Sequence, residues 1–115
     1  MTDAIVIEGI RADGRHGLPG ERDIPQPFVV DVELRYGLRA AAAADRLDET
    51  IDYGAIACEV RDVIESTSVE LIETLAENIA ERLGAFGADS VLIRVSKPKA
   101  AESLGVDAVA VVIER

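Results

Sequence analysis

The chain has 115 residues, 49% of them hydrophobic, and a net charge of −10 from 22 acidic and 12 basic side chains. That length suits one domain over residues 1–115, and the acidic balance argues against nucleic acid and anionic membrane as partners. A single cysteine, Cys58, and a single histidine, His16, leave no intrachain disulfide and too few ligands for a His/Cys zinc site within one chain.

The opening stretch, MTDAIVIEGIRADG, has no basic region ahead of an apolar run, so no secretory signal is expected. No apolar run approaches the length of a membrane span. With one cysteine, this points to a reducing cytoplasm. The segment AIVIEGI (4–10) reads as a first strand. FVVDVELRYGL (28–38) reads as a second, with Phe28, Val30, Val32, Leu34 and Tyr36 on its apolar face and Asp31, Glu33 and Arg35 on the other. A structureless loop between them would be unusually long for a compact domain. The first strand is therefore expected to continue past a bulge at Gly14 and to form a long hairpin with the second. His16, in GRHG, reads as a turn residue.

RAAAAADRLDET (39–50) reads as a connection with room for one helical turn. Asp52 is placed to cap a first helix running to about Glu65, with Ile56, Val60, Val63 and Ile64 on one face. Thr67 and Glu70 match a capping box for a second helix that runs to about Leu83. Its inward stripe is Ile72, Leu75, Ala76, Ile79 and Leu83, and Gly84 and Gly87 stop it. In VLIRVSKPKA (91–100), Val91, Ile93 and Val95 share one face of a third strand. The next residue of that parity is Lys97, after which Pro98 ends central pairing. DAVAVVIER (107–115) supplies a fourth strand, with Val109, Val111 and Ile113 on one face.

The order ββααββ predicts an α+β fold: a four-stranded antiparallel sheet with both helices on one face. Such a sheet has open edges, and the chain is rich in apolar residues for its size. Association between subunits would cover both.

Lys97 admits two readings. Its stem could lie on the core with the ammonium in water. Alternatively it enters a pocket, since a lysine beside low-dielectric surface releases its proton more readily and can act as acid or base. Glu73 borders the apolar stripe of the second helix, Tyr53 follows the cap Asp52, and Glu21 lies in the hairpin connection. Taken singly, each of these also reads as an ordinary surface or packing residue. GRHGLPG lacks the Lys-Ser/Thr of a phosphate-binding Walker loop.

Together, GRHGLPGERDIPQPFVVDVEL, ETIDYGAIA, LIETLAENIAERL and VSKPKA…VAVVIER resemble, in this order, the dihydroneopterin aldolase family. The resemblance implies the tunnelling fold, in which four subunits close their sheets into a barrel and two rings stack into an octamer. It implies retro-aldol cleavage of 7,8-dihydroneopterin, a small pterin, to 6-hydroxymethyl-7,8-dihydropterin and glycolaldehyde, with no cofactor and no metal. It assigns Lys97, Tyr53 and Glu21 to the proton chemistry. Glu73 and the backbone around Ile72 fall on the pterin edge, and Glu21 and Tyr53 also contact the substrate. Lys99 departs from the small residue the family often has after Lys-Pro, and the segment 99–107 looks slightly long. Two alternatives follow: an epimerase acting on dihydroneopterin triphosphate, and a pterin-binding oligomer without turnover.

Overall fold

The computed structural model describes residues 3–115. Strand β1 (Ala4–His16) pairs antiparallel with β2 (Gln26–Arg35), from Ala4 opposite Arg35 to Gly14 opposite Gln26. This is the expected long hairpin, but its bulge is elsewhere. The register shifts between Ile7 and Ile10, where Gly9 takes φ 74° and its amide donates to Asp31 Oδ1 at 2.7 Å. Gly14 stays in register. It is a glycine for a different reason: a Cβ there would sit 2.6 Å from the Ile64 carbonyl oxygen. Gly14→Ala is therefore expected to lower the unfolding free energy by about 1–3 kcal/mol, the usual range for overpacking, as read by chemical denaturation.

β2 continues the sheet to β4 (Ser90–Ser96), which pairs antiparallel with β5 (Ala110–Glu114). A fifth strand, absent from the sequence-based expectation, is the two-residue β3 (Ser68–Val69). It lies parallel to Arg15–His16, giving the mixed order β3-β1-β2-β4-β5. It also overturns the expected capping box. Thr67 closes the preceding helix, its hydroxyl donating to the Val63 carbonyl at 2.6 Å, and the next two residues are drawn into the sheet. The following helix therefore begins only after Leu71, without a side-chain cap.

The first of the two long helices, α2 (Tyr53–Ser66), is capped by Asp52, whose Oδ1 accepts from the amides of Gly54 and Ala55. The second, α3 (Ile72–Leu83), ends at Gly84; a 3-10 turn follows and Gly87 closes it at φ 80°. Ile56, Val60, Val63 and Ile64 of α2 are buried, as are Ile72, Leu75, Ala76, Ile79 and Leu83 of α3. They pack on Ile10, Phe28, Val30, Val32, Leu34, Val91, Ile93 and Val95, which line the same side of the sheet, to form one hydrophobic cluster. Tyr36 is half-buried at its edge.

Two short helices complete the chain. α1 (Arg39–Ala44) occupies the connection after β2, and α4 (Pro98–Leu104) fills what reads in sequence as a long loop. Pro98 stands at the first helical position, where a missing N–H costs nothing.

The molecule measures 51 × 26 × 19 Å, and its radius of gyration of 15.3 Å exceeds the roughly 13 Å of a compact chain of this length. β5 forms one edge of the sheet, with Val112 exposed on it. Among the described residues no helix is long and apolar enough to cross a membrane.

Candidate active site

The site is built where the far end of β1, the start of α3 and the end of β4 meet. β1 ends on His16, and Gly17 then leaves the strand at φ 116°. A Cβ on Gly17 would lie 2.9 Å from the Glu21 Cβ, so only glycine lets the chain fold back this tightly. Glu21 opens a 3-10 turn (Glu21–Asp23), and its Oε1 accepts from the Leu18 amide at 3.3 Å. Arg15 holds the turn from below, donating to the Asp23 carbonyl at 2.5 Å.

Lys97 is fixed from both sides. Its amide donates to the Val109 carbonyl at 2.9 Å, beyond the last paired residues of β4 and β5. Its carbonyl accepts from the amides of Ala100 and Ala101, making it the N-cap of α4. The side chain is half-buried.

The third part is delivered by β3. The Gly17 amide donates to the Val69 carbonyl at 3.1 Å, so the entry to α3 is tied to the end of β1. Ile72 enters the core, while Glu73 stays exposed in the first turn of the helix.

At the centre of these parts is His16. It is not a solvated turn residue, as its glycine-flanked sequence suggests, but is only 4% exposed, with its ring edge-on to Phe28 at 5.4 Å. Burial, and next the positive charge of Lys97, hold the imidazole below its ordinary pKa of 6.5; Glu21 and Glu73 oppose this. The Leu71 backbone also opposes it, but not in hydrogen-bonding geometry, since neither ring nitrogen has a partner. His16 is thus neutral near pH 7. Three of the sequence-predicted residues, Glu21, Glu73 and Lys97, lie within electrostatic reach of this one ring.

A cleft of about 860 Å³ opens between the 3-10 turn and α4. Glu21, Gln26, Lys97, Lys99, Glu102 and Ser103 contribute to its walls. Its volume falls in the usual range for small-molecule sites. Glu73 and Ile72 do not line it; Glu73 acts on the charge of His16 from the first turn of α3. Among the described residues no group of three or more His, Cys, Asp or Glu side chains is placed to hold a metal ion.

Tyr53 is not brought to this cleft. It is the first residue of α2 and is 68% exposed. The C-terminal end of that helix is the one near the cleft, because Ile64 packs on Gly14, two residues before His16. At 1.5 Å per helical residue, Tyr53 lies roughly 16 Å further along the helix.

Two site residues escaped the sequence reading, His16 and Gln26. Gln26 is buried, and its Nε2 donates to the His16 carbonyl at 3.3 Å. Its signal was present: Gln26 has the same parity as Phe28, Val30, Val32 and Leu34, and the inward face of β2 simply extends one step further.

The dihydroneopterin aldolase family model, FolB, matches residues 5–114. A dihydroneopterin aldolase of Streptomyces coelicolor is 43% identical over 115 residues, covering 98% of this chain and 97% of its own. One from Staphylococcus haemolyticus is 40% identical over 84 residues, which is 72% of this chain and 100% of that sequence. The crystal structure of the Escherichia coli dihydroneopterin aldolase, determined in complex with neopterin, superimposes with a TM-score of 0.92 at 33% identity and covers 99% of each chain. With the model matched over nearly the whole length and relatives at this identity, the chain belongs to the dihydroneopterin aldolase family.

Proposed function

We propose that this chain cleaves 7,8-dihydroneopterin by a retro-aldol reaction, giving 6-hydroxymethyl-7,8-dihydropterin and glycolaldehyde on the way to folate. The observation that carries the reading is the convergence of Glu21 and Lys97 on one cleft, with Glu73 within electrostatic reach of the same His16. Breaking the side-chain carbon–carbon bond leaves negative charge on the carbon attached to the ring. The dihydropterin has an N5=C6 imine next to that carbon, so the substrate absorbs the charge itself. The protein then has only to move protons and hold geometry.

In this mechanism Lys97 serves as acid and base at N5, through water. Glu21 holds that water or the hydroxylated side chain. Glu73 accepts from the 2-amino group and ring N–H, a two-pronged contact that a carboxylate makes well, and the backbone around Ile72 completes the pterin edge. Tyr53 handles the proton at the side-chain hydroxyl and at the developing carbanion. Because it lies at the far end of its own subunit, the tyrosine at each cleft comes from a neighbouring copy. Sheet edges paired into a barrel of four, stacked in twos as an octamer, would supply that copy. The drawn-out shape and the exposed Val112 on edge strand β5 agree with this. The lone cysteine fits a cytoplasmic setting.

The direct test is product analysis: enzyme dialysed against chelator, given dihydroneopterin, should release glycolaldehyde at its full rate. A rate that collapses and returns with added zinc would overturn the proton-only mechanism. A second reading, epimerisation of dihydroneopterin triphosphate, rests on Lys99, which lines the same cleft and could meet a phosphate. It is tested by offering both substrates to wild type and Lys99→Ala. A variant that loses only the triphosphate reaction would establish it.

A further inference from the structure

Three polar side-chain atoms are buried without a partner among the described residues: both ring nitrogens of His16 and Oε1 of Gln26. Gln26, 8% exposed, lines the cleft, and His16, 4% exposed, lies behind it, its carbonyl held by the Gln26 amide. A buried polar group left unpaired is destabilising, and an apolar residue of similar shape would remove that cost. His16 sits against Phe28 in the core wall, where a phenyl ring would pack as well.

The groups facing the ring suggest what would satisfy it. Lys97 follows Ser96, which pairs with Val29, and so stands beside Phe28, the ring that His16 packs against; Glu21 in the 3-10 turn and Glu73 on α3 also act on the charge of the imidazole. An ammonium only donates and an ionised carboxylate only accepts. A neutral imidazole does one at each nitrogen. It is therefore the buried group that can accept from Lys97 while offering its N–H to the acceptors opposite.

We propose that His16 is a positioning residue: its neutral imidazole accepts a hydrogen bond from Lys97 when a pterin occupies the cleft, fixing the amino group at the reacting end. Gln26 supports it by holding the His16 carbonyl. Contacts of this kind are often loose in a free enzyme and tighten on binding. The proposal rests on the acid–base role given to Lys97 above. Protonating His16 would remove the acceptor, so the wild-type rate should fall as pH drops below the ordinary imidazole range.

The chain has one histidine, so ¹⁵N-histidine NMR reports this ring alone. At neutral pH, adding neopterin should shift one ring-nitrogen resonance in the direction of hydrogen-bond acceptance, and the shift should vanish in Lys97→Ala. No shift in wild type, or the same shift in Lys97→Ala, overturns the proposal. This readout needs no turnover, so an absence of glycolaldehyde would count against the aldolase reading and leave this one standing.

Kinetics supply the second arm. His16→Phe should keep or raise Tm, hold KM within about threefold and lower kcat roughly ten- to a hundred-fold. His16→Gln, which retains an acceptor, should recover at least fivefold over the phenylalanine variant and lack the acid-side fall. Unchanged kcat in His16→Phe, or equal kcat in the two variants, overturns the positioning role.

Discussion

Lys97→Ala is expected to lower kcat by about 10²–10⁴, the usual contribution of a general acid–base group, while leaving pterin affinity close to that of wild type. The backbone around Lys97 is pinned by the Val109 carbonyl on one side and by the first turn of α4 on the other. Truncating the side chain therefore removes the ammonium without unfastening β4. Glu73→Ala should behave oppositely. Its carboxylate is exposed in the first turn of α3, on the pterin edge of the proposed site. Losing a charged hydrogen-bond partner there should weaken binding roughly ten- to a hundred-fold, with a smaller effect on turnover. Pre-steady-state kinetics with dihydroneopterin and titrations with neopterin separate the two. Normal turnover in Lys97→Ala would return Lys97 to a strand-end residue whose stem covers the core.

Co-refolding two inactive variants should restore activity. Lys97→Ala and Tyr53→Phe are each expected to be nearly inactive as cleavage enzymes. If a cleft takes its lysine from one subunit and its tyrosine from the next, random assembly at equal amounts leaves both groups intact in about a quarter of sites. Activity should rise to about that fraction of wild type. The prediction rests on geometry: α2 runs away from the cleft, with Ile64 at Gly14 and Tyr53 at the opposite end. Mixing the folded proteins without refolding should recover less, because closed rings exchange subunits slowly. Native mass spectrometry would establish that hybrids form. Hybrids that form yet stay as inactive as their parents would rule out the shared site.

The residues that the sequence placed correctly were those whose neighbours along the chain decide their environment. Asp52 caps α2 as expected, and the inward stripes of α2 and α3 are buried residue for residue. Helical and strand periodicity is a local property, and water sorts the two faces in the same way wherever the element is placed. The four charged and hydroxylated candidates were recognisable only through the resemblance. Singly, an exposed glutamate on a helix looks like any other.

What the sequence could not yield depends on segments far apart in the chain. Thr67 and Glu70 have the spacing of a capping box, but pairing with β1 draws Ser68 and Val69 into the sheet and the helix starts later. Gly14 looks like a bulge; its lack of a side chain instead admits the Ile64 carbonyl, fifty residues on. His16 sits between glycines, the composition of a solvated turn. It is buried with its ring edge-on to Phe28 of the neighbouring strand, and Gln26 of that strand holds its carbonyl. Only the tertiary structure could decide that, since burial of a polar ring is set by what packs against it and not by the residues beside it.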